Sequence, residues 1–356
     1  MKFALILTNL AGGGAERSML RLGTALLRRG HAVRTILLEA RIEHEVPANA
    51  VLDILAPRVG KGFVGKWQAA WRLRRHYARN RLQDHVAVST LPFADEVAIR
   101  AQVPGLWCRI TNTLSAEVDQ LARHRPAKAA RRLARYRRLY ENRRLVAVSQ
   151  GVEADLRGAI GLQRARIRRI YNGLDLDAIR LAAAEPPPDL PQEPFVLHAG
   201  RFAAQKRHDL LLDAWTEARL PHRLVLLTQS DPRLEALVRE RGLQSRVTIA
   251  GFRANPYPWM RAAELLVLSS DREGMPSVLV EALASGTRVV STDCPSGPRE
   301  VLRGPMSRWL VPPGDARALA AAMRAALASP RPGPSAVPEE FTEAHMVRAY
   351  EALGAG

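Results

Sequence analysis

Cysteine is almost missing from this chain: Cys108 and Cys294 are the only two in 356 residues, far apart and outside any CxxC or Cys/His spacing. That excludes a disulfide framework and a recognisable zinc site, and it fits a reducing compartment. Long apolar runs are missing too. None approaches the roughly 18 residues that a membrane-spanning helix needs, so no segment is expected to cross a bilayer, while peripheral attachment stays open. The opening MKFALILTNL has too short an apolar stretch and no convincing small-residue cleavage site, so it reads as a first buried strand and not as a signal peptide. A cytoplasmic location is the expectation. Glycine and proline, at 24 each, sit near background, which excludes collagen-like and low-complexity chains. What is present is a globular composition, 47% hydrophobic and 25% charged, with length for one large domain or two ordinary ones. The net charge of +18 is unevenly spread. Residues 1–180 carry 33 Lys and Arg against 15 Asp and Glu, whereas 181–356 carry 20 of each. The first half should face an anionic surface or ligand and the second should do charge-neutral work.

Short runs rich in Val, Ile and Leu alternate with amphipathic stretches along the whole chain, the pattern of a doubly wound α/β protein. One series comprises 2–8, 32–38, 51–55, 86–90, 106–111 and 144–149; a second comprises 195–200, 222–229, 247–252, 264–270 and 288–294. The first helix is expected over about 15–29, ending at Gly30. Between the two series lies AEPPPDLPQEP, whose five prolines suit neither a helix nor a central strand. The expected organisation is therefore a first Rossmann-like domain over 1–180, a linker over 181–194, a second Rossmann-like domain over 195–339, and a final helix in 340–356 packing back on the first domain. In such a pair the default ligand site is the cleft at the carboxyl ends of the strands.

The strongest chemical signal is EGMPSVLVEALASG, with Glu273 just before a helix and Glu281 about two turns into it. Pro276 suits the first helical turn and Gly286 the C-terminal cap. Backbone N–H groups from about Gly274 to Val278 would be available to a phosphate or a hydroxyl oxygen. A carboxylate accepts and does not donate, so it pairs naturally with a vicinal diol such as a ribose or a sugar. A second signal is HAGRFAAQKRHDLLLDAW, where Arg201 and Lys206 flank a short turn between a strand and a helix and suit a diphosphate leaving group. A weaker third is TNLAGGGAERSM, where Gly12, Gly13 and Gly14 allow close backbone approach. This is not the dinucleotide fingerprint: the third glycine is missing and no acidic residue comes at the right distance after it, so NAD is not expected.

These motifs, with YNGLDLD (171–177), GFRANPYPWMRAAELLVLSSDREGMPS (251–277) and TDCPSGPREVL (292–302), resemble the retaining glycosyltransferases of family GT4, which have the GT-B fold. The resemblance implies that Arg201 and Lys206 hold the donor diphosphate, Glu281 the ribose hydroxyls and Glu273 the transferred sugar. Gly274, Met275, Pro276 and Ser277 would assist, with the base near Phe252 and Arg253 and the Gly13–Gly14 loop against the diphosphate. It also implies front-face attack without a protein nucleophile, metal or cofactor. The expected donor is a nucleotide diphosphate hexose or N-acetylhexosamine, with UDP as the nucleotide, and the expected acceptor a hydroxyl of a lipid-linked or envelope glycan. Gly12, Thr111 and Asn112 are the acceptor-side candidates. Relatives often carry a histidine where RITNTLS places Thr111, and a threonine is no base at neutral pH. His198 is the nearest substitute by position, unless it is only a hydrogen-bonded histidine at a strand end.

Two basic segments suit an anionic membrane. The first, 123–144, has ten Lys and Arg and one Glu, with Ala129, Leu133, Tyr136 and Tyr140 on one stripe; the second, 60–81, has Phe63, Trp67 and Trp71 beside cations. Both would also read as outer helices with solvated basic faces, and charge density favours the first. Asp175 and Asp177 in GLDLD mimic a metal-binding pair but read as a cap or turn. Three other readings remain: a transferase for a small soluble acceptor, a nucleic-acid-binding protein, and a lipid-surface protein without catalysis. The neutral second half and the sparse aromatics in most of the first basic segment argue against specific nucleic-acid binding.

Overall fold

The apolar runs of this chain are parallel strands, and their connections are helices, as the alternation requires. The structure, a computed structural model, describes residues 1–11, 13–44, 46, 49–185, 187, 189–333 and 337–354. The chain divides into two compact units, one of Met1–Leu174 with the segment from Thr342 to the C terminus, the other of Asp175–Phe341.

In the first unit the elements run β1 (Lys2–Leu7), α1 (Gly14–Arg28), β2 (Ala32–Leu37), β3 (Val51–Ile54), α2 (Phe63–Arg79), β4 (Val86–Thr90), α3 (Pro92–Arg100), β5 (Trp107–Ile110), α4 (Leu114–Ala122), α5 (Pro126–Tyr140), β6 (Arg144–Ala147), α6 (Gln150–Arg157) and β7 (Arg166–Arg169). The sheet order is β3-β2-β1-β4-β5-β6-β7, all parallel, with Phe3 opposite Val33 on one side and Val86 on the other. Connections therefore reverse direction between β1 and β4. β7, RIRR, lies outside the expected strands because three of its four residues are exposed arginines and only Ile167 is buried.

The second unit comprises α7 (Leu176–Ala182), β8 (Phe195–Ala199), α8 (His208–Ala218), β9 (Arg223–Leu227), α9 (Pro232–Glu240), β10 (Val247–Ile249), α10 (Tyr257–Ala262), β11 (Leu265–Leu268), α11 (Ser277–Ala284), β12 (Arg288–Thr292), α12 (Pro298–Val301), β13 (Leu310–Val311) and α13 (Ala316–Leu327). The parallel order is β10-β9-β8-β11-β12-β13, reversing between β8 and β11. β13 is too short to show as a run in sequence. The core is aliphatic, built on Val196, Leu211, Leu224, Val267 and Val290, with Trp215 against one sheet face.

The unit boundary corrects the expected one. It falls at Leu174/Asp175 and not in the Pro-rich 181–194, because the segment beginning at Asp175 is fastened to the second unit: α7 packs on α10 and α11, Asn255 donates to the Ala182 carbonyl at 3.1 Å, and Arg253 pairs with Asp189. The return falls at Thr342, where Leu174 and Thr342 form a parallel bridge. From there α14 (Glu343–Glu351) joins the first unit, where Met346, Val347, Tyr350 and Leu353 share a core with Phe3, Leu5, Met19 and Leu22.

Candidate donor site

At a point where the connections of an open parallel sheet reverse, the loops leaving the two central strands diverge and open a crevice at their carboxyl ends. In the second unit these are the loops after β8 and β11. The first carries Lys206 and the second Glu273, 67 residues apart, and the fold brings them into contact: Lys206 Nζ donates to Glu273 Oε1 at 2.6 Å. The same Oε1 accepts from the Ser270 hydroxyl at 2.6 Å. The two loops are tied further, by Ser269 Oγ to the Lys206 carbonyl at 2.7 Å and by the Asp271 N–H to the Gln205 carbonyl at 2.9 Å. Thr292, at the end of β12, donates to the Ser270 carbonyl at 2.6 Å. Ser270 and Thr292 are fully buried and Glu273 is 7% exposed. Glu273 Oε2 has no hydrogen bond to any described residue, so this oxygen is available to a hydroxyl.

Glu273 leads into α11. Pro276 is the N-cap and cannot supply a capping side chain, and no side chain caps this helix start. The Ser277 and Leu279 amides are taken by the Met275 and Pro276 carbonyls at 2.9 and 3.0 Å. The amides of Gly274, Met275 and Val278 have no acceptor among the described residues, and orphan amides of this kind are the donors that bind oxyanions. The available set is thus narrower than the continuous stretch Gly274–Val278. Glu281 is the fifth residue of α11, just over one turn in and not two, and is 6% exposed. Behind this start Ser296 Oγ donates to the Gly274 carbonyl at 2.7 Å, and Gly297, at φ +97°, lies so close that a Cβ there would come 2.2 Å from Pro276 Cδ. Cys294 is buried beside the site; burial, then the Glu273 carboxylate, pushes its thiol well above the usual range.

The other candidate residues are placed less uniformly. Arg201, on the same loop as Lys206, is exposed and pairs with no described residue. Its guanidinium is available to an anion. Arg207, between Lys206 and α8, is in the left-handed conformation and spans Asp209 and Asp271 at 2.9 Å each. Phe252 and Arg253 come after the edge strand β10. Phe252 is 63% exposed, while Arg253 pairs with Asp189 and lies 5.2 Å from the centroid of the Trp259 ring. His198 is a buried histidine at a strand end, its Nδ1 2.9 Å from the Val267 carbonyl and its ring 4.7 Å from that of His208. Burial, and then the neighbouring His208, holds His198 well below the ordinary histidine range; burial and Lys206 bring His208 down to about 4.

In the first unit Gly13 is the N-cap of α1 and Gly14 its first residue; Gly12 lies outside the described residues. A Cβ on Gly13 would fall 2.1 Å from Glu16 Oε2, so a carboxylate of the chain already sits against this helix start. Thr111 and Asn112 come just after β5 and are half-buried, with Asn112 Oδ1 accepting from the Thr113 amide at 3.0 Å. Asp175 caps α7 by accepting from the Ala178 amide at 3.0 Å, and Asp177 pairs with Arg180. No group of three or more His, Cys, Asp or Glu among the described residues is arranged to hold a metal ion.

Ser269, Ser270, Thr292 and Ser296 are not among the candidates that residue type singles out. The sequence signal for Ser269 and Ser270 is a polar pair closing the apolar strand ELLVLSS, and Thr292 and Ser296 fall in the stretch TDCPSGPREVL.

Two parallel-sheet units of this kind define the GT-B fold. The structure superposes over its whole length on Anabaena Alr3699/HepE in complex with UDP and glucose, with a TM-score of 0.74, 18% identity and 100% of both chains covered. Sucrose-phosphate synthase from Thermosynechococcus elongatus gives 0.73 at 22% identity, covering 99% of this chain and 94% of that one. Two family profiles match in tandem: "Glycosyltransferase Family 4" over residues 12–178 and "Glycosyl transferases group 1" over 193–329. The chain belongs to the GT4-related glycosyltransferases of GT-B fold. Among curated relatives it is 27% identical over 310 residues to the N-acetylgalactosamine-N,N'-diacetylbacillosaminyl-diphospho-undecaprenol 4-alpha-N-acetylgalactosaminyltransferase of Campylobacter jejuni, covering 84% of this chain and 83% of the relative. It is 28% identical over 320 residues to the lipopolysaccharide core biosynthesis glycosyltransferase LpsE of Rhizobium meliloti, covering 87% and 84%.

Proposed function

We propose that this glycosyltransferase moves a hexosyl or N-acetylhexosaminyl group, with retention of configuration, from a nucleotide diphosphate sugar to a hydroxyl of a lipid-linked or envelope glycan, and that UDP is the nucleotide. The observation that carries the donor assignment is the contact of Lys206 with Glu273 in the crevice between β8 and β11, beside the orphan amides of Gly274, Met275 and Val278. Lys206 and the exposed Arg201 neutralise the diphosphate. Glu273, with Oε2 available, takes the hydroxyls of the transferred sugar, assisted by the orphan amides of Gly274 and Met275. Glu281 takes the ribose diol and the base lies near Phe252 and Arg253. The second unit is thus the donor unit.

In the reaction the bond between the anomeric carbon and the diphosphate oxygen breaks, its electron pair leaving with the diphosphate. The acceptor oxygen bonds to the same face of that carbon, and its proton passes to the departing phosphate. Charge develops on the diphosphate, where Arg201, Lys206 and the amides supply preorganised positive potential. No metal is called for in this scheme. The first unit is the acceptor unit, with Gly12, Thr111 and Asn112 assigned to the acceptor and Gly13 and Gly14 to donor binding. The lipid-linked acceptor is favoured by the diphospho-undecaprenol and the lipopolysaccharide core in the relatives' names and by the basic first half of the chain, and a cytoplasmic, peripheral placement is proposed with it.

The test is thermal stability against a panel of nucleotides and nucleotide sugars, with and without EDTA, since a ligand that binds only the folded state raises the melting temperature. A shift with UDP-sugars that survives EDTA and is lost in Arg201→Ala/Lys206→Ala is the expected result. No shift with any nucleotide would overturn the donor assignment.

A further inference from the structure

Helix α2 packs on the first unit by one side only. Ala69, Ala70, Leu73 and Tyr77 are buried against Ala4, Ile36, Ala94 and Val97. At 3.6 residues per turn Phe63, Val64, Trp67 and Trp71 share an arc of about 100° whose centre lies roughly 120° round the helix from that of the buried stripe, and they are 69%, 66%, 50% and 60% exposed. This is an apolar helix face in water, where burial of each side chain would gain free energy. Arg74, Arg75 and Ala78 continue the same face toward the C-terminal end, all exposed. Arg75 lies 5.3 Å from the Trp71 ring centroid, and Arg100 lies 5.6 and 5.3 Å from those of Phe63 and Trp67.

Charge says what should cover this face. α2 contains no Asp or Glu. The acids beside it are already matched: Glu96 by Lys66, Arg100 and Arg135, and Asp53 by Arg34 and His76. Arg58, Lys61, Arg74, Arg75 and Arg79 remain exposed, so the surround is cationic and the complementary partner is anionic. Tryptophan beside arginine on a helix lying along a surface is the composition of an interfacial helix, whose aromatic rings sit at headgroup depth.

The charge-dense segment 123–144 is less suited. Its helix α5 buries Ala129, Tyr136, Leu139 and Tyr140, and several of its cations are engaged: Arg132 with Glu117, Arg135 with Glu96, and Arg137 with the Ile160 carbonyl at 2.7 Å. α5 has cations to offer but no exposed large apolar side chain to insert.

We infer that α2 is the membrane-docking element of this protein, with Phe63, Val64, Trp67 and Trp71 entering the headgroup and acyl boundary of an anionic bilayer and Arg74 and Arg75 meeting its phosphates. The inference deepens the lipid-linked acceptor reading by naming the surface that brings the first unit to its substrate.

The test uses the full chain with vesicles of phosphatidylcholine alone and of equal phosphatidylcholine and phosphatidylglycerol, followed by sedimentation and tryptophan emission. Binding to the anionic vesicles with a blue shift is expected. Trp67→Ala/Trp71→Ala should weaken it by at least about tenfold, and Arg74→Gln/Arg75→Gln by about tenfold or more, at roughly 1 kcal/mol per cation. Arg131→Gln/Arg138→Gln on α5 should change it less than about twofold. Unchanged binding in the tryptophan variant, or a tenfold loss in the α5 variant, would overturn the inference. So would no vesicle binding together with self-association that the tryptophan variant abolishes, which would make a second copy the occupant. The UDP thermal shift, measured on the same proteins, reports the donor site separately: its absence overturns the transfer reading and leaves the vesicle result standing.

Discussion

Glu273 Oε1 accepts from an ammonium and a hydroxyl that reach it from the two sides of the crevice, and this double acceptance fixes the carboxylate while Oε2 has no hydrogen bond to any described residue. If Ser270 does no more than hold that orientation, Ser270→Ala should lower kcat/KM about tenfold, the worth of one hydrogen bond to a charged group, without a change in the circular dichroism spectrum. Lys206→Ala should cost about a hundredfold or more, because it removes positive charge from the leaving group and leaves a largely buried carboxylate without its cation. Steady-state kinetics checks both, and equal losses would mean that Ser270 does more than orient. Residue type and motif context singled out Lys206 and Glu273 as candidates beside strand–helix junctions, and the fold brings the two into contact. Ser270 was not legible, because a serine at a strand end caps, turns or fills space equally well. His198 and His208 carry a pH signature. Their imidazoles are held below 6.5 by burial, so the unfolded chain binds more protons than the folded one below that pH, and stability falls as pH drops from 6.5 toward about 4. Thermal melts from pH 7 to 4.5 should show a decline that is shallower in His208→Gln, and an equal decline would place the sensitivity elsewhere.

Most strands legible in sequence are buried on both faces, such as FVLHA and LLVL, which read as continuous apolar runs, and the edge strands β3 and β10 were legible because they too are mostly apolar. The two that were not, β7 and β13, are edge strands, where one-sided burial or two-residue length leaves no run to find. Helix α11 shows a related limit. Its existence was plain from the apolar SVLVEALA, but its first residue is Ser277, which brings Glu281 one turn closer to the helix start than the sequence suggests. That start is braced by the turn at Gly297, where positive φ and the 2.2 Å approach to Pro276 both require glycine. Gly297→Ala should destabilise the second unit by about 1–3 kcal/mol, and should raise KM for the donor and lower kcat together, since the turn holds amides that meet the diphosphate both when bound and as it leaves. Urea unfolding and donor kinetics measure these, and an unchanged KM would show that the brace does not shape the donor site. Charge density favours α5 and exposed aromatic residues favour α2: both helices are amphipathic in sequence, and only packing shows which aromatic residues are core and which are surface.

At the scale of the whole molecule, each unit has its own parallel sheet and core, and the chain enters the second and leaves it at neighbouring points, bridged by Leu174 and Thr342. α14 is therefore part of the first unit although it ends the chain. Tyr350, 1% exposed, packs there, and the neighbouring Arg109, itself buried, donates to Ser18 at 2.7 Å. Tyr350→Ala should cost about 3–5 kcal/mol and should raise hydrogen exchange in β1–β7 while leaving β8–β13 as they were; exchange rising equally in both units would show that their stabilities are not separate. By itself the sequence determined the fold class, the number of sheets and the residues singled out as donor-site candidates, because apolar periodicity, turn residues and charge at strand ends are local properties. Tertiary structure alone decided where the units divide, which oxygen of Glu273 is held and which is available, and which basic helix bares its aromatics. Each of these depends on what packs against a residue from far along the chain, and no local pattern encodes that.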